Sequence, residues 1–72
     1  GHRNWNYWNV ALWIGNDEGL YRFALEQIRR SKTKDEAARS FVDAMISMGN
    51  PKTPDGAPYS FSTVRAAMVG LT

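Results

Sequence analysis

The sequence predicts an all-α fold, a small single-domain bundle of about four short helices. Three observations predict it. Apolar side chains recur at spacings of three and four residues in four separate stretches. Capping residues, glycine or proline stand between those stretches, and no alternation of period two persists long enough to compete as a strand. A chain of 72 residues makes one domain, 1–72, and at that size only about 60% of the surface is buried on folding. The helices are expected at roughly 4–14, 17–31, 34–48 and 61–70. The expected core is Trp8, Leu12, Leu20, Ala24, Ile28, Phe41, Val42, Met45, Val64 and Met68.

The stretch from Trp5 to Tyr21 holds all three tryptophans and two of the three tyrosines. Trp5, Trp8 and Leu12 fall at i, i+3 and i+7, with Ala11 on the same stripe, which assigns that face to the core. Tyr7, Val10, Trp13 and Ile14 lie to its flanks, so the helix is apolar around most of its circumference and only Asn4, Asn6 and Asn9 are polar there. Such a helix is either the most buried of its domain or carries a second apolar face meant for another chain. Asn4 or Asn6 is the expected N-cap, and Gly15 the expected break.

Asn16 or Asp17 then caps a second helix with Glu18 in its first turn. Its stripe is Leu20, Tyr21, Ala24, Leu25 and Ile28, with Phe23 alongside, and Arg22, Glu26 and Arg30 are spaced for two i, i+4 ion pairs. Thr33-Lys34-Asp35-Glu36 reads as a capping box in which Thr33 and Glu36 bond each other's amides. Ala37, Ala38, Phe41, Val42, Met45, Ile46 and Met48 form the third stripe, Arg39 and Asp43 pair outside it, and Gly49 ends the helix. Residues 50–59 contain all three prolines, with a turn at Pro54-Asp55-Gly56. Ser60 or Ser62 caps the last helix, where Phe61, Val64, Met68 and Leu71 recur at helical spacing.

Composition excludes much. Without cysteine there is no disulfide and no thiolate metal site, which reads as an intracellular, cytoplasmic protein. The longest apolar run, Val10 to Ile14, is too short to span a membrane. The leading Gly1-His2 reads as a scar of tag removal, and setting His2 aside leaves no pairing of nucleophile and base and no His or Cys cluster. No cofactor, metal or catalytic residue is expected. The pairs Asp17-Glu18 and Asp35-Glu36 sit where helix N-termini favour negative charge, and no phosphate-cradling glycine motif is present.

Two binding readings remain. Nine aromatics in 72 residues, six of them by Phe23, suit a protein–protein contact as well as a core, and Trp5, Tyr7 and Trp13 are the candidate contact residues. Pairing of first helices in a homodimer would serve the same surplus. The alternative is a small dimeric helix-turn-helix-like DNA-binding regulator, with Ser62, Thr63 and Arg65 entering a groove and Arg29, Arg30 and Lys32 on phosphates. Nine Lys and Arg against seven Asp and Glu give a net charge of only +2, and residues 48–59 exceed the 3–4-residue turn of that motif.

The opening NWNYWNVALWIGNDEGLY, followed by a helix and then TPDGAPYSFSTVRAAM, resembles a family of very short proteins encoded in phages, prophages and neighbouring mobile elements. That resemblance carries no established activity and transfers no functional residue. It implies a context in which proteins of this size act stoichiometrically on host machinery, including as inhibitors of CRISPR or other defence complexes. The expected function is therefore that of a non-enzymatic accessory protein binding a host protein complex, with DNA binding as the alternative.

Overall fold

The computed structural model describes the backbone of residues 2–71 and the side chains of residues 5–71. It contains four helices, α1 (His2–Asn16), α2 (Glu18–Arg30), α3 (Lys34–Ser47) and α4 (Phe61–Leu71). α1 and α3 each pack against both α2 and α4, and a smaller α2–α4 contact fills the middle of an all-α globule 32 × 24 × 20 Å across. The expected helices are all present.

Most boundaries follow from the side chains next to them. α1 runs through Asn6, which therefore does not cap it, and through Gly15, which does not break it; the Asn4 and His2 side chains lie outside the described residues. Asp17 alone separates α1 from α2. Its backbone is extended and its Oδ1 accepts from the Leu20 amide at 3.0 Å, so Asp17, not Asn16, is the cap. Thr33 Oγ1 accepts from the Glu36 amide at 3.1 Å, but the Glu36 carboxylate takes the Lys32 amide, at 3.2 Å, one residue before the one expected. α3 stops at Gly49, whose amide reaches the Ile46 carbonyl and whose φ of +80° turns the chain so that the Asn50 amide reaches that of Met45. Ser60 caps α4 reciprocally: its Oγ accepts from the Thr63 amide at 3.3 Å, and Thr63 Oγ1 accepts from the Ser60 amide at 3.0 Å.

The core is built from Val10, Ile14, Ala24, Ala37, Ala38, Phe41, Met45, Val64, Ala67 and Met68, together with Ala57 and Tyr59 from the connection between α3 and α4. Leu20, Phe23, Ile28, Val42 and Leu71 pack against it. Phe41 is fully buried, with the Phe23 ring centred 5.3 Å away and the Tyr59 ring meeting it edge-on at 5.7 Å.

Seven large apolar residues assigned to buried stripes are exposed instead: Trp5, Trp8, Leu12, Tyr21, Ile46, Met48 and Phe61. Trp8 is 57% and Leu12 36% exposed, because α1 turns Val10 and Ile14 inward, about 200° round the helix from them. Ile46 and Met48 are both exposed, at the C-terminal end of α3 where Gly49 stops the helix. On the outer faces, Arg22 pairs with Glu18 rather than Glu26, Arg30 pairs with Glu26, and Arg39 lies over the Phe61 ring at 5.0 Å instead of pairing with Asp43.

This packing predicts opposite outcomes for two aromatic truncations. Phe41→Ala is expected to lower stability by about 3–5 kcal/mol, enough to unfold much of a small domain. Trp8→Ala should change it by no more than about 1 kcal/mol. Urea titrations followed by far-ultraviolet circular dichroism check both; comparable losses would mean that α1 is turned the other way.

Candidate functional site

Two features of α1 face opposite ways, and the inward one explains the outward one. On the inner side Asn9 is 1% exposed, so its amide must be satisfied within the protein. Its Nδ2 donates to Asp55 Oδ2 at 2.9 Å and its Oδ1 accepts from the Thr53 hydroxyl at 2.6 Å. Thr53 Oγ1 in turn accepts from the Ala57 amide at 3.0 Å. One helical turn further along α1, Trp13 Nε1 donates to the same Asp55 oxygen at 2.9 Å. The 50–59 segment is thereby clasped to α1.

That segment is shaped for the clasp. Pro54 and Asp55 occupy a turn closed by the Gly56 amide on the Thr53 carbonyl at 2.8 Å, and Gly56 takes the φ of +97° that glycine tolerates. The Thr53 amide donates to the Ala57 carbonyl and the Tyr59 amide to that of Pro51, so the two limbs run as a short ribbon. Asn9 first and Trp13 second hold the Asp55 carboxyl below its ordinary value by stabilising its charged form. Tyr59 is pushed up, mainly by burial and also by the charge of Asp17.

On the outer side of α1, Trp5 (43% exposed), Trp8 (57%) and Leu12 (36%) form one stripe. No charged residue occurs between Trp5 and Asn16. Leu12 also borders an open cleft of about 300 Å³ with Trp13, Asn16 and Asp17. A second cleft of about 380 Å³ lies between Trp13, Asp17, Lys52 and Tyr59.

The expected contact residues therefore part company. Trp5 is displayed, whereas Tyr7 and Trp13 are half-buried, Trp13 tied to Asp55 and Tyr7 beside the start of α4. Trp8 and Leu12, read from the sequence as core, share the displayed face. Helical spacing grouped them with Trp5; which way the group pointed was not encoded in that spacing.

The residues of the DNA-binding alternative are not gathered for groove reading. Thr63 is 4% exposed and its hydroxyl serves the α4 cap, Arg65 is exposed but pairs with Asp35, and Ser62 is exposed with its hydroxyl 3.4 Å from that of Ser60. Arg29 and Lys32 are exposed at the end of α2, and Arg30 is paired with Glu26. Among the described residues no group of His, Cys, Asp and Glu gathers as a metal site, and no helix is long and apolar enough to cross a membrane.

The fold and this surface define a small all-α domain that displays an uncharged aromatic helix face. Residues 1–70 match the model of a family of unknown function, DUF7249, and the chain belongs to that family. No curated protein and no solved structure matches it.

The clasp predicts how stability responds to mutation and acid. Asn9→Ala strands the Thr53 hydroxyl and is expected to destabilise by about 1–3 kcal/mol. Because folding lowers the pKa of Asp55 from its ordinary 3.8, its contribution is complete above that value and is lost as pH falls below it. Asp55→Asn should remove that part of the acid sensitivity, read as a smaller fall in urea midpoint between pH 5 and 3 than in the unmodified protein.

Proposed function

We propose that this is a non-enzymatic accessory protein of phage origin that binds a host protein complex, such as a CRISPR effector or another defence assembly, and blocks it by occupancy. The observation that carries the reading is the Trp5, Trp8 and Leu12 stripe, exposed on one uncharged helix face of a 72-residue domain. Small domains gain from burying every large side chain they own, and exposed tryptophans on a rigid helix are the kind of anchor that fills a pocket in a partner. A helix presenting residues at i, i+3 and i+7 suits insertion into an apolar groove. The resemblance to short phage and prophage proteins supplies the host context. The absence of cysteine and of any histidine beyond His2 supports binding over chemistry.

The test is plaque formation by a targeted phage on bacteria with active CRISPR immunity. Expression of the protein is expected to raise plaquing at least about 100-fold, a loss of defence that Trp5→Ala with Trp8→Ala abolishes while circular dichroism stays unchanged. Arg29→Ala with Arg65→Ala should leave the effect intact, and duplex DNA at low salt should not change the protein's mass in light scattering. Full activity of the double tryptophan variant would remove the stripe from the mechanism; a DNA complex that dissociates with salt would favour the regulator instead.

A further inference from the structure

We propose that the Asp55–Gly56 linkage is a self-modification site, which converts to isoaspartate when the clasp to α1 opens and which the closed clasp holds intact. The inference goes beyond the host-binding reading, since it needs no host protein.

The pair of residues sets the chemistry. In an Asp-Gly sequence the glycine nitrogen can attack the aspartic acid Cγ, because glycine has no Cβ to crowd the approach. The new N–C bond closes a succinimide ring; the amide gives up its proton and the carboxyl its hydroxyl, which leave together as water. Water then reopens the ring at either carbonyl. Opening at the side-chain carbonyl restores aspartate. Opening at the main-chain carbonyl leaves the backbone running through Cβ and Cγ, one carbon longer, with the carboxylate on Cα. Nothing is oxidised or reduced, and the mass is unchanged. Of the Asp and Asn residues in the chain, Asp55 alone precedes a glycine.

Packing does not protect the pair. Both residues are exposed, and a Cβ placed on Gly56 would meet nothing within 4 Å, so water reaches the linkage freely. Hydrogen bonds protect it instead, at each of the two reacting groups. Asn9 Nδ2 and Trp13 Nε1 both donate to Asp55 Oδ2 at 2.9 Å. They pin the carboxyl against α1 and, by favouring its charged form, shrink the fraction carrying the hydroxyl that the reaction expels. The Gly56 amide donates to the Thr53 carbonyl at 2.8 Å, so its proton is engaged within the turn. Exposed turns open locally far more easily than cores do. Lifting this one off α1 releases the carboxyl, and fraying of the turn releases the amide. The product does not fit the clasp again: its carboxylate sits on Cα in a longer turn, which leaves Asn9, 1% exposed, short of an acceptor.

Ageing of the full chain at neutral pH tests this. The tryptic peptide 53–65, in which Asp55 is the sole Asp or Asn, is resolved by chromatography into aspartyl and isoaspartyl forms of equal mass. Isomerisation in native buffer is expected to be at least about tenfold slower than in unfolding urea. Trp13→Phe, which keeps an aromatic ring and removes the indole N–H, and Asn9→Ala should each raise the native rate at least about threefold. Val64→Ala truncates a buried α4 residue outside the clasp and should leave the rate within about twofold. Circular dichroism checks that the variants are folded, and if Asn9→Ala is not, Trp13→Phe decides alone. No isoaspartate in urea, equal rates in buffer and urea, or a native rate unmoved by Trp13→Phe each overturn the proposal. A rise as large in Val64→Ala as in Trp13→Phe also overturns it, by assigning the protection to global stability. Because no host factor is present, failure here is separate from failure in the plaque assay.

Discussion

The buried amide of Asn9 is the constraint on which the arrangement depends. An amide with 1% exposure loses its bonds to water on folding and must recover both a donor and an acceptor contact within the chain. Thr53 and Asp55 supply them from a single turn, and Asp55 also takes the Trp13 indole one helical turn away. Two attachment points on successive turns fix both the rotation of α1 about its axis and the seat of the 50–59 segment. The same seat places Ala57 and Tyr59 in the core, where the Tyr59 ring meets Phe41. What looks in the sequence like a surface connection is thus part of the packed interior.

The rotation of α1 decides what the surface offers. The outer stripe of Trp5, Trp8 and Leu12 carries more apolar area than Val10 and Ile14, so burial of area alone does not account for the rotation observed. Hydrogen bonding discriminates strongly, because burying the other stripe would carry Asn9 and the Trp13 indole away from Asp55. Val10 and Ile14 fill the interior beside Ala67 and Met68, and the two largest side chains of the outer stripe are left on display. An exposed aromatic ridge is therefore a consequence of satisfying a polar group, and the binding proposal rests on that ridge.

The start of α4 shows the same precedence of local bonding over appearance. A run of Ser60, Ser62 and Thr63 ahead of Arg65 has the composition of a groove-reading helix. In the fold, Ser60 and Thr63 bond each other's amides and Arg65 reaches Asp35 at the start of α3. Short hydroxyl side chains at a helix start bond the adjacent backbone readily, so they signal a boundary more reliably than a ligand.

The sequence by itself determined the all-α class, the four helices and most of their ends, because helical period and capping are local. Asp17, Thr33 and Gly49 act within three or four residues of themselves, and the pattern of neighbours is enough to read them. It also marked Trp5 as a contact candidate and grouped it with Trp8 and Leu12. Only the tertiary structure decided that this group faces outward, that Trp13 is tied down, and that Ala57 and Tyr59 are buried. Those outcomes hang on bonds between Asn9 and Thr53 and between Asn9 and Asp55, 44 and 46 residues apart. A helix apolar on nearly every side contains no internal record of which side its partners will require.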